Sequence, residues 1–230
     1  MCARAAYTSM RRLRQLLQTP VSATGMAAAE HCELCNELLA TNHRHLWDWA
    51  ARNVVCVCSA CSLLMIRPGA AAGKYRLIPE RYLAVTDFEL TTSAWSALLI
   101  PVNMAFLVQS AQPEPHVSAF YPGPAGAIES VLDTDQWQSL LQVNPVLAAL
   151  EAEVEALLIN RMRAPYTYYL VPIDSCYRLV GLLRRSWHGF SGGDEAWQSM
   201  DDYFVALQAQ AMVCDQLSVT KGSVDARSKL

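Results

Sequence analysis

Five cysteines fall within a short stretch of this 230-residue chain: Cys32, Cys35, Cys56, Cys58 and Cys61. Two Cys-x-x-Cys pairs stand among them, "CELC" and "CSAC". Each such pair bends the backbone so that both sulfurs reach one ion, and four thiolates together surround Zn²⁺ tetrahedrally. Cys32, Cys35, Cys58 and Cys61 are therefore the expected ligands of a structural metal, chiefly zinc. The pairs are separated by 22 residues, slightly beyond the usual span of about 15–20.

Cys56 is surplus to this set. Only Cys58 has the three-residue spacing to Cys61 that closes a pair. On a strand, Cys56 would project from the same face as Cys58, close by under the hairpin. It reads as a small buried hydrophobe, with a spare thiol that trades places with a ligand on oxidation as the functional alternative. His31 abuts the first ligand, and His43 and His45 share a strand face. A Cys₃His site using one of them is a second ligand set, though a structural role is expected for all three. Cys176 opens a predicted helix, where the dipole lowers a thiol pKa, yet it lies on the apolar stripe, where burial raises it. Packing is its expected role, and a redox thiol the alternative.

Two other readings of the same residues are weaker. Rubredoxin-type iron sites carry Pro inside each pair and Gly after it, whereas this chain has Glu33-Leu34 then Asn36, and Ser59-Ala60 then Ser62. Iron electron transfer is thus a lesser alternative to redox-inert zinc. His-Asn-His nucleases need a metal-binding His beyond their structural zinc, and the helix after Cys61 offers none. No catalytic residue emerges, and the reading leans towards a non-enzyme.

The elements that must position these cysteines follow from pattern. Residues 1–30 read as a flexible leader, with Leu13, Leu16 and Leu17 on a short helical stretch. Residues 31–66 form the four-cysteine zinc module: a knuckle, a hairpin of "HRHLWDW" and "RNVVCV", then a helix at "SLLMI". That order predicts a treble-clef-like module, with a zinc ribbon as the competing geometry; Leu64 and Met65 are expected to anchor its helix to the main domain. "RPGAAAGKY" supplies a linker at 67–74.

Residues 75–212 read as an α+β domain. "KYRLI", "YLAV", "VNMAFLVQ", "VSAFY", "AIESVL" and "YTYYLVPI" are strand-like, and a further strand is expected from Val154. Helices are predicted after caps at Thr91 or Thr92, Asp133, Asn144 and Asp174, with a last one from Asp194 whose face carries Trp197, Met200, Phe204, Leu207 and Ala211. Strands joined by short turns, with helices not strictly alternating, predict a largely antiparallel sheet. The tail at 213–230 reads as disordered.

Composition narrows the partners. Net charge is −3 with one basic cluster, "RRLR" at Arg11–Arg14, so nucleic acid is not the expected partner. No run approaches the roughly 18 apolar residues of a membrane span. The leader lacks the apolar core of a secretory signal, so a cytoplasmic location with reduced cysteines is expected.

Taken in order, "HCELC", "HRHLWD", "VVCVCSACSLL", "GKYRLIP", "YPGPAGAIESVLD", "NPVLAALE", "VEALLINR" and "YLVPIDSCYRLVGLLRRSWHGFSGG" resemble an uncharacterised bacterial family. That family, a domain of unknown function, is encoded beside oxygen-tolerant, high-affinity nickel–iron hydrogenases. The resemblance spans about residues 30–207 and includes Cys32, Cys35, Cys56, Cys58, Cys61 and Cys176. It implies an accessory protein that supports assembly or maturation of such an enzyme through contacts with hydrogenase subunits or maturation factors. A redox or metal-handling protein using Cys56 and Cys176 is the alternative.

Overall fold

A computed structural model describes residues 29–67, 69–111, 114–123, 126–188 and 193–215. The expected leader helix and most of the expected disordered tail lie outside these residues. His31 onward clusters as one unit, built on two sheets.

The smaller sheet begins with a hairpin of β1 (Arg44–Asp48) and β2 (Asn53–Val57). Asp48 closes the turn by accepting from the amides of Ala50 and Ala51 at 2.9 and 3.0 Å. The chain then forms helix α1 (Ser59–Met65) and a 3₁₀ turn at Ala70–Gly73. Gly69, with φ 81°, supplies the left-handed entry to that turn. β3 (Tyr75–Leu77) follows the linker and pairs antiparallel with β1, giving the order β2-β1-β3.

The larger sheet takes the strands from Leu83 onward: β4 (Leu83–Val85), β5 (Met104–Ser110), β6 (His116–Gly123), β7 (Gly126–Val131), β8 (Glu155–Asn160), β9 (Thr167–Pro172) and β10 (Met212–Cys214). Its order is β10-β4-β9-β8-β5-β6-β7, and every neighbouring pair is antiparallel except β10 with β4. The fold is α+β with a mostly antiparallel sheet, as the strand and turn pattern predicts.

Helices cover both faces of this sheet. α2 (Thr92–Ala97) and α3 (Thr134–Val143) set Trp95 and Trp137 against Leu157 and Ile159 of β8. α4 (Ile173–Ser186) and α5 (Gly193–Gln210) set Leu179, Leu183, Met200 and Phe204 against Ala156 and Leu158 on the opposite face. With both faces covered, β8 reads as a continuous apolar run instead of an alternating one.

Four expectations change in detail. Asn144 holds the cap position before Pro145, as expected, but its side chain makes no cap bond to the 3₁₀ turn Pro145–Ala149. Its buried amide instead accepts from the Glu89 amide at 2.7 Å and donates to the Glu89 carbonyl at 2.9 Å. Asp174 lies inside α4, whose cap position is Pro172; a tertiary partner claims its carboxylate, as described below. On α5, Trp197 is 41% exposed, and Ala196 and Tyr203 take buried places beside Met200 and Phe204. The chain also remains in the fold past residue 212, because Val213 and Cys214 pair with Ala84 and Val85. Three residues carry too little periodicity to signal such a strand.

Candidate metal centre

The first cysteine pair sits on a tight turn. Asn36 donates to the Cys32 carbonyl at 2.7 Å, Cys32 donates to the Glu37 carbonyl at 2.8 Å, and His31 bridges to Leu38. Asn36 takes φ 64°, the left-handed conformation that Asn tolerates better than most residues. Glycine's absence after this pair therefore says nothing against an iron-type turn here. The second pair is built differently. Cys58 leaves β2 with extended backbone and becomes the cap of α1, its sulfur accepting from the Cys61 amide at 3.4 Å. A turn, a hairpin and a helix carrying the second pair is the treble-clef order, not a ribbon of two knuckles.

The ligand atoms of Cys32, Cys35, Cys58 and Cys61 all lie within 4.8 Å of one another, and the Cys35 and Cys58 sulfurs are 3.7 Å apart. Zinc–sulfur bonds of about 2.3 Å place tetrahedral sulfurs roughly 3.8 Å apart. The cluster is thus of a size that holds a metal ion. Cys32 and Cys61 are buried on a small core of Leu46, Val55 and Val57, and Cys35 is exposed.

Electrostatics points the same way. Burial pushes the Cys32 thiol up, but amides donated from Cys58, Leu34 and Cys35 outweigh it and hold the pKa at about 6. Burial and the neighbouring sulfurs of Cys35, Cys58 and Cys32 push Cys61 far up. At Cys35 the Glu37 amide pulls down, yet competition with Cys32 and burial leave the thiol raised. Four thiolates this close repel one another, so only some ionise. A divalent cation among them removes that conflict and lets all four deprotonate.

The remaining candidates are placed elsewhere. β2 ends at Val57, so Cys56 and Cys58 do not share a strand face. Cys56 pairs in register with His45, and its Sγ gathers with ring nitrogens of His43 and His45, all within 4.8 Å of one another. His31 donates from Nδ1 to the Asn36 carbonyl, 3.1 Å away, behind the first turn. Cys176 is fully enclosed in the core under α4, and burial followed by the Asp174 charge pushes its thiol well up. Leu64 is 52% exposed and does not anchor α1, while Met65 packs on the small core. Among the described residues no helix is long and apolar enough to cross a membrane.

The grouping of His43 and His45 with Cys56 is the feature that sequence reasoning missed. The alternation of His43 with His45 was a signal for it, but the opposing residue depends on hairpin register. A family model described as "Family of unknown function (DUF5947)" matches residues 31–211. No curated protein and no solved structure matches.

Proposed function

The chain belongs to the DUF5947 family of unknown function, and we propose that it is a non-enzymatic accessory protein whose zinc, held by Cys32, Cys35, Cys58 and Cys61, fixes a surface for a protein partner. The observation that carries this reading is the gathering of those four sulfurs within 4.8 Å. Four protein ligands close a tetrahedral ion to substrate, which is the pattern of structural sites and not of catalytic ones. The second pair rides on a helix cap, unlike the paired knuckles of rubredoxins, and this favours zinc over iron.

The metal does what the module's own core cannot. Three apolar side chains, Leu46, Val55 and Val57, are its buried non-cysteine members, too few to order a segment of this length alone. Leu63, Leu64 and Ile66, directly after the ligand Cys61, are 63, 52 and 43% exposed, and they give a partner an apolar contact. The segment resemblance noted above supports a nickel–iron hydrogenase subunit or maturation factor as that partner, and assembly or maturation of the enzyme as the process.

The test is co-purification from a hydrogenase-producing host, with metal measured in the same sample. Cys35→Ser should lose the tightly held zinc and at least tenfold of the captured partner. Capture that survives complete loss of that metal would sink this reading.

One observation favours a metal-handling role beside it. Cys56, the spare thiol, stands with two imidazoles instead of packing as a simple hydrophobe.

A further inference from the structure

The module's hairpin has two faces, and metal-capable groups lie on both. Leu46, Val55 and Val57 turn towards the small core beside the four-cysteine centre. Trp47 and Val54 turn the other way, into the core shared with α4 and α5. Strand alternation puts His45 and Cys56 on this second face, directly opposite one another in the ladder. His43 precedes β1 by one residue and meets His45 edge to face, with ring centroids 4.8 Å apart.

Hydrogen bonds set the tautomer of both rings. His45 Nδ1 lies 2.6 Å from Asp174 Oδ2, and His43 Nδ1 lies 3.0 Å from the Ala40 carbonyl oxygen. A carboxylate and a carbonyl accept, so each ring donates from Nδ1 and, when neutral, carries its lone pair on Nε2. Rings held this way by carboxylate or carbonyl partners are the usual ligands of protein-bound transition metals. Asp174 is itself fixed, because its Oδ1 accepts from the Ser175 amide at 2.8 Å. A helix of the larger domain thus orients a ring of the module.

We propose that His43, His45 and Cys56 form a second metal site, which takes a divalent first-row ion such as Zn²⁺ through two imidazole nitrogens and one thiolate, with Asp174 as its positioning residue. This site goes beyond the accessory role and shares no ligand with the four-cysteine centre, but it rests on the hairpin that the first metal orders. On binding, the Cys56 S–H bond breaks, sulfur bonds to the ion, and the proton passes to solvent. Imidazole suits zinc, copper and nickel, and a single thiolate shifts the preference to ions of borderline softness. Three protein ligands leave the fourth tetrahedral position to water or an exogenous donor. The side chains of His45 and Asp174 keep 26 and 21% exposure, so such a donor has access. This second centre is open where the first is closed.

The experiment titrates metal into the full chain after chelation. Zinc is counted by mass, and Co²⁺ serves as the spectroscopic stand-in. Two equivalents are expected, the second with tetrahedral cobalt absorption and a weaker thiolate-to-metal band than the first. Cys56→Ser should abolish that weaker band and leave the four-thiolate spectrum intact. Asp174→Ala should weaken the second equivalent about 10- to 100-fold, and Asp174→Asn, which keeps an acceptor, should recover part of it.

A single equivalent in wild type, or an octahedral second one, overturns the proposal. So does a second equivalent indifferent to Cys56→Ser. Should Cys56→Ser collapse the module and lose both ions, the wild-type second spectrum decides by the same criterion. Cys35→Ser removes the first centre and the order of the hairpin with it, so the second site is judged in wild type and in Cys56→Ser, where all four cysteines of the first centre remain. A wild type without the four-thiolate spectrum is the separate failure of the first centre.

Discussion

Asp48 shows at the scale of one residue how charge serves this fold. Its side chain is 7% exposed, holds the β1–β2 turn through two amides, and meets Lys74 Nζ at 2.9 Å. Burial raises its pKa, but the Ala51 amide and the Lys74 ammonium outweigh burial and leave it lowered. A depressed carboxylate contributes stability that is complete above its unfolded value of about 3.9 and lost as pH falls through the lower folded value. Asp48→Asn keeps an acceptor for the turn and removes the charge. Its urea midpoint should therefore depend less on pH below about 4 than wild type; parallel curves would show that the Lys74 pairing carries no weight. The cysteines obey the same physics with the opposite demand. Sulfurs that repel as bare thiolates become mutually compatible around a cation.

Secondary-structure elements here are held by polar groups that cross between them. Asn144 ends α3, is fully buried, and ties both backbone polar groups of Glu89. Asn144→Leu has nearly the right volume but orphans that amide and carbonyl, at about 1–3 kcal/mol for each group left buried. Urea unfolding should register a loss of about 2–4 kcal/mol; a change below about 0.5 kcal/mol would show that water replaces the side chain. Glu155, 1% exposed at the start of β8, accepts from Arg81 through both oxygens at 2.5 and 2.6 Å and from the Glu151 amide at 2.9 Å. This explains a pattern that is ambiguous in "EAEVEALLINR". The glutamates alternate as on a strand, yet Glu151 and Glu153 precede β8, and only Glu155 lies in it, where Arg81 compensates its buried charge.

Across the whole molecule, the small sheet and the large one are joined by residues that face away from the module's own core. Trp47 is 3% exposed and stacks on Tyr177 of α4, with ring centroids 6.2 Å apart. Tyr177 keeps 42% exposure on the outer side of this contact. Trp47→Ala should cost about 3–5 kcal/mol and separate the melting of the module from that of the larger domain. One cooperative transition with an unchanged midpoint would show that the joint lies elsewhere. His45 and Asp174 sit at the same joint, so an ion at the proposed second site would tie the two sheets together.

Local chemistry was legible in the amino-acid order alone. The four-cysteine cluster, the hairpin between the pairs, the helix after them, the caps at Thr91 and Asp133, and the strand at β8 all follow from spacing, alternation and capping side chains. These depend on neighbours a few residues apart. Tertiary structure decided whatever required distant segments to meet. Cys58 left the strand to cap a helix, which parted it from Cys56. Asp174, 129 residues from His45, has the sequence context of a helix cap and serves instead as that ring's anchor. Met212–Cys214 found an edge at β4 that no local pattern announces. A side chain's type limits which partners it can take, but register and packing choose among them, and those are set only when the whole chain has folded.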